Sequence, residues 1–156
     1  MEIRILTVGK PAPDFHKTLS SRYIERLGRG WPTSIHSVPE ERLTKNRSRG
    51  DVLRREASKL QSRLPGGWPI IALDREGHSV DSLKFAERMR QWQDGGNRGV
   101  AFVIGGPEGL DASLVKQADF RMSFGKMTFS HDLALGLLCE QCYRALSIVR
   151  GWPYHR

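Results

Sequence analysis

Cysteine is nearly absent from this sequence: Cys139 and Cys142 are the only two in 156 residues. That excludes a disulfide-stapled scaffold. No run of 18 apolar residues occurs, which excludes a membrane-spanning helix. The opening Met-Glu-Ile-Arg-Ile-Leu lacks the charged-then-apolar layout of a signal peptide, so a soluble protein of the cytoplasm is expected. Internal repeats and low-complexity tracts are also missing, and no linker stands out. Acidic residues are in deficit, 17 Asp+Glu against 25 Lys+Arg, giving a net charge of +8. With 38% hydrophobic residues the chain can bury one core, so disorder is excluded as its main state. Its length fits a single domain over residues 1–156.

A small domain this basic is expected to meet a polyanion. The charge is uneven. Arg42, Lys45, Arg47, Arg49, Arg54, Arg55, Lys59 and Arg63 face only Glu41, Asp51 and Glu56 within residues 41–63. Such a stretch can displace counterions from phosphates. It can equally be a solvated helix face with a basic loop.

Hydrophobic patterning alternates between two periods. Residues 2–8 read as a strand ended by Gly9, and Asp14 as the cap of a helix reaching Leu27. A strand over 33–38 and a basic loop over 40–50 follow. Asp51 then reads as the cap of a helix carrying Leu53, Ala57, Leu60 and Leu64, broken by Pro65-Gly66-Gly67. Residues 69–73 form a short apolar strand, and Asp74 to Gly77 a turn. A helix runs from Asp81 or Ser82 to Gln93, and a buried strand spans 99–104. A short helix over 112–117, a strand from Phe120 to Phe124, a loop to Ser130 and a long helix from His131 to Arg150 complete the chain. This alternation specifies the α/β class with a mostly parallel sheet. The last helix is apolar nearly all round, which requires cover on every side. A partner subunit is the expected second cover, a central core helix the alternative.

In open α/β sheets ligands bind beyond the carboxyl ends of the strands. Leu73 to Gly77, Gly105 to Gly109 and Ser123 to Phe129 all fall there. Gly105-Gly-Pro-Glu-Gly109 is neither a P-loop nor a Gly-x-Gly-x-x-Gly fingerprint, and alone it reads as a strand-to-helix turn. Cys139-Glu-Gln-Cys142 lies mid-helix without a second ligand pair, so both cysteines read as buried small hydrophobes. Glu140 and Arg144 are spaced for a helix ion pair. His16 and His36 read as scaffold. The end, Gly151-Trp-Pro-Tyr-His-Arg156, combines aromatics, an imidazole and a guanidinium, which suit base stacking and phosphate contact.

Taken in order, six segments form a pattern: Ile5 to Lys10, Leu73-Asp74 with Gly77, Phe102 to Gly109, Ser123 to His131, Glu140 to Ala145, and Gly151 to His155. Over the full length this resembles the small bacterial RlmH family of ribosomal RNA methyltransferases, within the SPOUT (α/β-knot) superfamily. The resemblance implies a parallel sheet with a carboxy-terminal trefoil knot, a homodimer, and S-adenosylmethionine as cofactor without a metal. It implies 23S ribosomal RNA in the assembled ribosome as substrate, methylated on N3 of a pseudouridine in the helix 69 loop. Carried over by position, the cofactor residues are Leu73, Gly105, Gly106, Ser123, Phe124, Gly125, Lys126, Met127, Thr128, Phe129 and Ser130. The Lys126 ammonium is expected to point away from the cationic sulfonium. His155, Tyr154 and Arg144 are the catalytic candidates, with no unique base among them. His131, Arg150 and Arg156 are assigned to the substrate. Leu135 stands where the family usually has arginine, and Asp132 is a further departure.

Overall fold

The computed structural model describes the backbone of residues 1–10 and 15–156, and the side chains of 1–10 and 18–156. The expected Asp14 cap and the His16 side chain lie outside that range. Alternating β-branched residues give β1, Glu2–Val8, the second strand of a five-stranded sheet. Around it are α1 (Phe15–Leu27), β2 (Thr33–Val38), α2 (Arg49–Gln61), β3 (Ile70–Ser79), α3 (Ser82–Asp94), β4 (Gly99–Ile104), α4 (Ala112–Gln117), β5 (Phe120–Ser123) and α5 (His131–Val149). The sheet order is β2-β1-β4-β3-β5, and every pairing is parallel. All six residues of the central strand β4 are buried, as a strand covered on both faces requires.

The two-residue period of a strand divides the core into two layers. Ile3, Ile5, Ile71 and Phe102 point to one face, where they meet Met89, Leu135, Leu138 and Leu146 from the helices. Leu6, Val8, Val38 and Val103 point to the other, against Ala57 and Leu60 of α2 and Leu114 of α4.

Two expectations need correction. Helix α2 starts earlier than Asp51. Ser48 is its cap: the Ser48 hydroxyl accepts from the Asp51 amide, and the Asp51 carboxylate accepts from the Ser48 amide. Asp51 is therefore the third helical residue of a capping box, a role open to either acid or serine when both stand near a helix start. Residues 74–77 are not a free turn. They belong to a longer β3, which leaves its pairing with β5 after Leu73 and rejoins at His78.

Helix α5 is covered in part by its own chain: α1 and α3 pack on it and β4 lies against it. Gly136 shows how close α1 comes, because a Cβ there would stand 2.8 Å from Leu19 Cδ2. Leu133, Leu137, Ile148 and Val149 are only half-buried, so its own chain does not complete the cover. Leu135 sits in this layer at 1% exposure. The family's usual arginine position is thus a core position in this chain. Leu135→Ala is expected to destabilise the fold by about 2–5 kcal/mol, read as a lowered denaturant midpoint at unchanged slope.

Candidate active site

The carboxyl ends of β3, β4 and β5 lie side by side, with Leu73 opposite Ile104 and also opposite Met122. The loops that leave these ends enclose a cleft of about 640 Å³. Ten of the eleven residues expected to hold the cofactor line it; Lys126 does not. Leu73, Ile104, Leu110, Met122, Phe124, Met127 and Phe129 give it apolar walls. Arg49, Arg75, Asp74, Glu76 and Glu108 add charge of both signs at the lining, and no lysine is among the lining residues.

Each loop has a local reason for its shape. Gly105 passes so close to Gly109 that a Cβ would lie 2.4 Å from the Gly109 carbonyl oxygen. The Gly109 amide donates to the Gly106 carbonyl at 2.9 Å, and Gly109 itself has φ of +91°, a left-handed conformation that favours glycine. Arg49 clamps this turn from α2, with Nε 2.9 Å from Glu108 Oε2 and an Nη2–H bond to the Glu108 carbonyl. The excursion of β3 is held by Asp74, which accepts from Arg121 Nε at 2.8 Å. The buried Ser123 hydroxyl lies 3.1 Å from the Arg75 carbonyl and 2.8 Å from that of Gly125, and accepts from the Gly125 amide at 3.0 Å. One hydroxyl thereby ties the β3 excursion to the 123–130 loop. Ser130 closes the loop as the cap of α5, accepting from the Leu133 amide. His131 follows and lines the cleft, its Nε2 3.2 Å from Asp132 Oδ1.

The remaining catalytic and substrate candidates lie elsewhere. His131 is the only one of the six that lines the cleft. Gly151, at φ +66°, ends α5 in a left-handed turn, and the Trp152 amide donates back to the Ser147 carbonyl. The tail then folds onto α5 and α1. Tyr154 donates to Glu140 Oε1 at 3.0 Å, its oxygen lies 3.2 Å from the Tyr23 hydroxyl, and its ring packs edge-on against Tyr143. Arg144 donates twice to Glu140 Oε1, lies over the Tyr154 ring, and comes within 3.4 Å of His155 Nδ1. Glu140 and Arg144 thus form the helix ion pair their spacing implies. Arg150 caps α5 and, like Arg156, is not at the cleft. Thirteen residues separate His131 from Arg144, about 20 Å along the helix.

These contacts bias protonation. Burial and the hydrogen bonds to Tyr23 and Glu140 push the Tyr154 phenol well above its usual range. In this arrangement it is a hydrogen-bond donor, not a base. The Glu140 carboxylate holds the Arg144 guanidinium more firmly charged. Burial pushes the Cys139 thiol up to about 12 and raises Cys142 further from ionisation, so both behave as core residues. No cluster of metal-ligating side chains occurs among the described residues.

The basic stretch is partly spent inside the protein. Arg47 and Lys59 both pair with Glu41, Arg54 with Asp51, and Arg49 with Glu108. Arg42, Lys45, Arg55 and Arg63 make no ion pair among the described residues and remain for an outside anion. Arg75, Glu76 and Glu108 fall within the segments expected at the strand ends, whereas Arg49 comes to the cleft from outside them. Arg49 was legible only as one basic residue of eight, because its pairing spans 59 positions.

The sequence matches the family profile described as "Predicted SPOUT methyltransferase" over residues 1–155. It is 40% identical over 157 residues to "Ribosomal RNA large subunit methyltransferase H" of Paramagnetospirillum magneticum, covering 100% of this chain and 99% of that one. It is 36% identical over 157 residues to the protein of the same name in Dechloromonas aromatica, with the same coverage. Among solved structures, a probable methyltransferase from Bordetella pertussis Tohama I superposes with a TM-score of 0.58 at 16% identity, covering 92% of this chain and 95% of that chain. That likeness carries the fold alone. The full-length sequence matches, on a parallel sheet whose strand ends enclose the cleft, place this chain in the SPOUT methyltransferase family.

Proposed function

We propose that this protein transfers a methyl group from S-adenosylmethionine to 23S ribosomal RNA, at N3 of a pseudouridine in the helix 69 loop of the assembled ribosome, in the cytoplasm. The observation that carries the reading is the convergence of three separate chain segments on one cleft: Leu73, Gly105-Gly106, and the loop from Ser123 to Ser130. The cleft volume is in the range of small-molecule sites, with mostly apolar walls and a few polar groups. A side chain at Gly105 would collide with the Gly109 and Leu110 backbone, so the turn that borders the cleft needs glycine there. Asp74, Glu76 and Glu108 at the lining outnumber Arg49 and Arg75, a balance compatible with a cationic ligand. When bound, S-adenosylmethionine supplies an electrophilic methyl carbon on a sulfonium, and the protein supplies alignment.

In this reading Leu73, Met127 and Phe129 wall the adenine, while backbone groups of the Gly105 and Ser123 loops give it hydrogen bonds. The imide N3 of the target must lose its proton, so a nearby base or cation assists. Arg144, Tyr154, His155 and Arg156 sit too far along α5 to do this in their own chain's cleft. We therefore place them at the cleft of a second copy, in a homodimer that also lets His131 meet the substrate. Arg150 contacts RNA phosphate together with the unpaired cations of 41–63, which position RNA without reading its sequence. The trefoil knot belongs to this proposal and accounts for how the loops after β4 and β5 are held together.

The test is methyl transfer from labelled S-adenosylmethionine to ribosomes lacking the modification, with the labelled nucleotide mapped. Label on N3 of the helix 69 pseudouridine is expected. Transfer to another RNA would overturn the substrate assignment, and no transfer with the cofactor still bound would point to a changed substrate.

A further inference from the structure

Behind the glycine turn of the cleft stands a carboxyl group that the mechanism above does not use. Glu56 of α2 is 2% exposed. Its Oε1 accepts from the Glu41 amide at 2.9 Å, while its Oε2 is buried and without a hydrogen-bond partner. A Cβ on Gly106 would stand 3.3 Å from that Oε2 and 3.0 Å from Val8 Cγ1. Gly106 also lines the cleft. One glycine backbone is therefore all that separates an incompletely satisfied buried carboxyl from the ligand space.

Burying a carboxyl without full hydrogen bonding is costly, and a charge close by in the ligand would offset that cost. The two states of the proposed cofactor differ in that respect. S-adenosylmethionine carries a sulfonium; the product S-adenosylhomocysteine carries a neutral thioether. We infer that Glu56 is a specificity-determining residue that favours the cationic methyl donor over its neutral product by its charge behind Gly106. The inference rests on the methyltransferase reading. Its consequence is functional: a site that holds product less tightly than donor releases it and turns over.

The electrostatic surroundings are mixed. Glu40 and Glu41, from the chain before α2, and Lys59, on α2, face the carboxyl. The glycine turn contributes Glu108, already paired with Arg49, and β1 contributes only Val8. Burial is the main reason the Glu56 carboxyl lies above its ordinary range; the hydrogen bond from the Glu41 amide opposes it and the Glu40 charge adds to it. A raised pKa means the charge is lost as pH falls through that raised value. Preference for the donor should therefore rise with pH. His131, on α5, also lines the cleft, so its contribution must be separated.

The experiment is titration calorimetry with S-adenosylmethionine and with S-adenosylhomocysteine, on the full chain and on Glu56→Gln, from pH 5 to pH 8. This substitution keeps the size of the side chain and removes only its charge. In the wild-type chain the ratio of the two Kd values should favour the donor and increase with pH. In E56Q the ratio should fall on the order of 5-fold at pH 8 and lose most of its pH dependence. Equal weakening of both ligands with an unchanged ratio would mean that Glu56 only supports the turn, and would overturn the proposal. If E56Q does not fold, the same series on His131→Gln decides: the pH dependence should persist there, and its disappearance would assign it to His131. Failure of the wild-type chain to bind either ligand would instead overturn the methyltransferase reading on which the proposal rests.

Discussion

Removal of Tyr154, His155 and Arg156 is expected to lower methyl transfer by at least about 100-fold and to leave S-adenosylmethionine affinity near that of the full chain. The magnitude is that of losing a positioned proton-transfer or orienting group. The separation of effects follows from geometry. None of the three residues lines the cleft, so cofactor affinity does not depend on them within one chain. The deletion also breaks the Tyr154 hydrogen bond to Glu140 and its edge contact with Tyr143; Tyr143 packs against one core layer, but none of the three removed residues belongs to either. The fold should survive, as circular dichroism would record. Full activity in the shortened protein would remove the tail from the mechanism. A parallel loss of cofactor affinity would show that the tail shapes its own chain's cleft.

Gly105→Ala is expected to weaken cofactor binding by about 5- to 150-fold, the factor that corresponds to about 1–3 kcal/mol of overpacking. The added methyl would meet the Gly109 carbonyl oxygen at 2.4 Å, its carbon at 2.5 Å and the Leu110 nitrogen at 3.0 Å. All three are backbone, so no side chain can move aside. The turn must open, carrying Gly106 and Glu108 with it. Gly66→Ala is the control, because nothing lies within 4 Å of a Cβ there and it should bind normally. Equal calorimetric affinities for G105A and G66A would show that the turn does not touch the ligand.

Combining the two variants tests the dimer. A G105A subunit keeps its tail, and a shortened subunit keeps its cleft. Coexpressed in mixed dimers they should recover part of the activity that each lacks alone, if the tail acts across the interface. Without recovery, the tail acts in its own chain and the proposed arrangement is wrong. This test bears on the dimer directly, since α1 and α3 cover α5 only in part.

Local signals decided much of the fold. Strand and helix periods in 2–8, 33–38, 99–104 and 131–150 place elements where the structure has them, because each buries one face or all faces over its whole length. The errors came from competition between equally good local signals. Ser48 and Asp51 both suit a helix start, and only the reciprocal bonds between them show which is the cap. Asp74-Arg-Glu-Gly77 has turn chemistry, yet β5 pairs with the strand on both sides of it. Gly77 permits this, since a Cβ there would lie 2.8 Å from the backbone of Met122.

By itself the sequence determined the α/β class, the buried state of Cys139 and Cys142, and the three segments that meet at the strand ends. Those follow from periodicity and from glycines that only a close backbone approach requires. Only the tertiary structure decided which charges survive for a partner, which side of α5 its own chain covers, and where the tail rests. It also put Glu56 behind Gly106 and Arg49 against Glu108. The reason is physical: such contacts join residues some 50 positions apart, and their energy depends on distance and burial, neither of which a residue's neighbours in the chain encode.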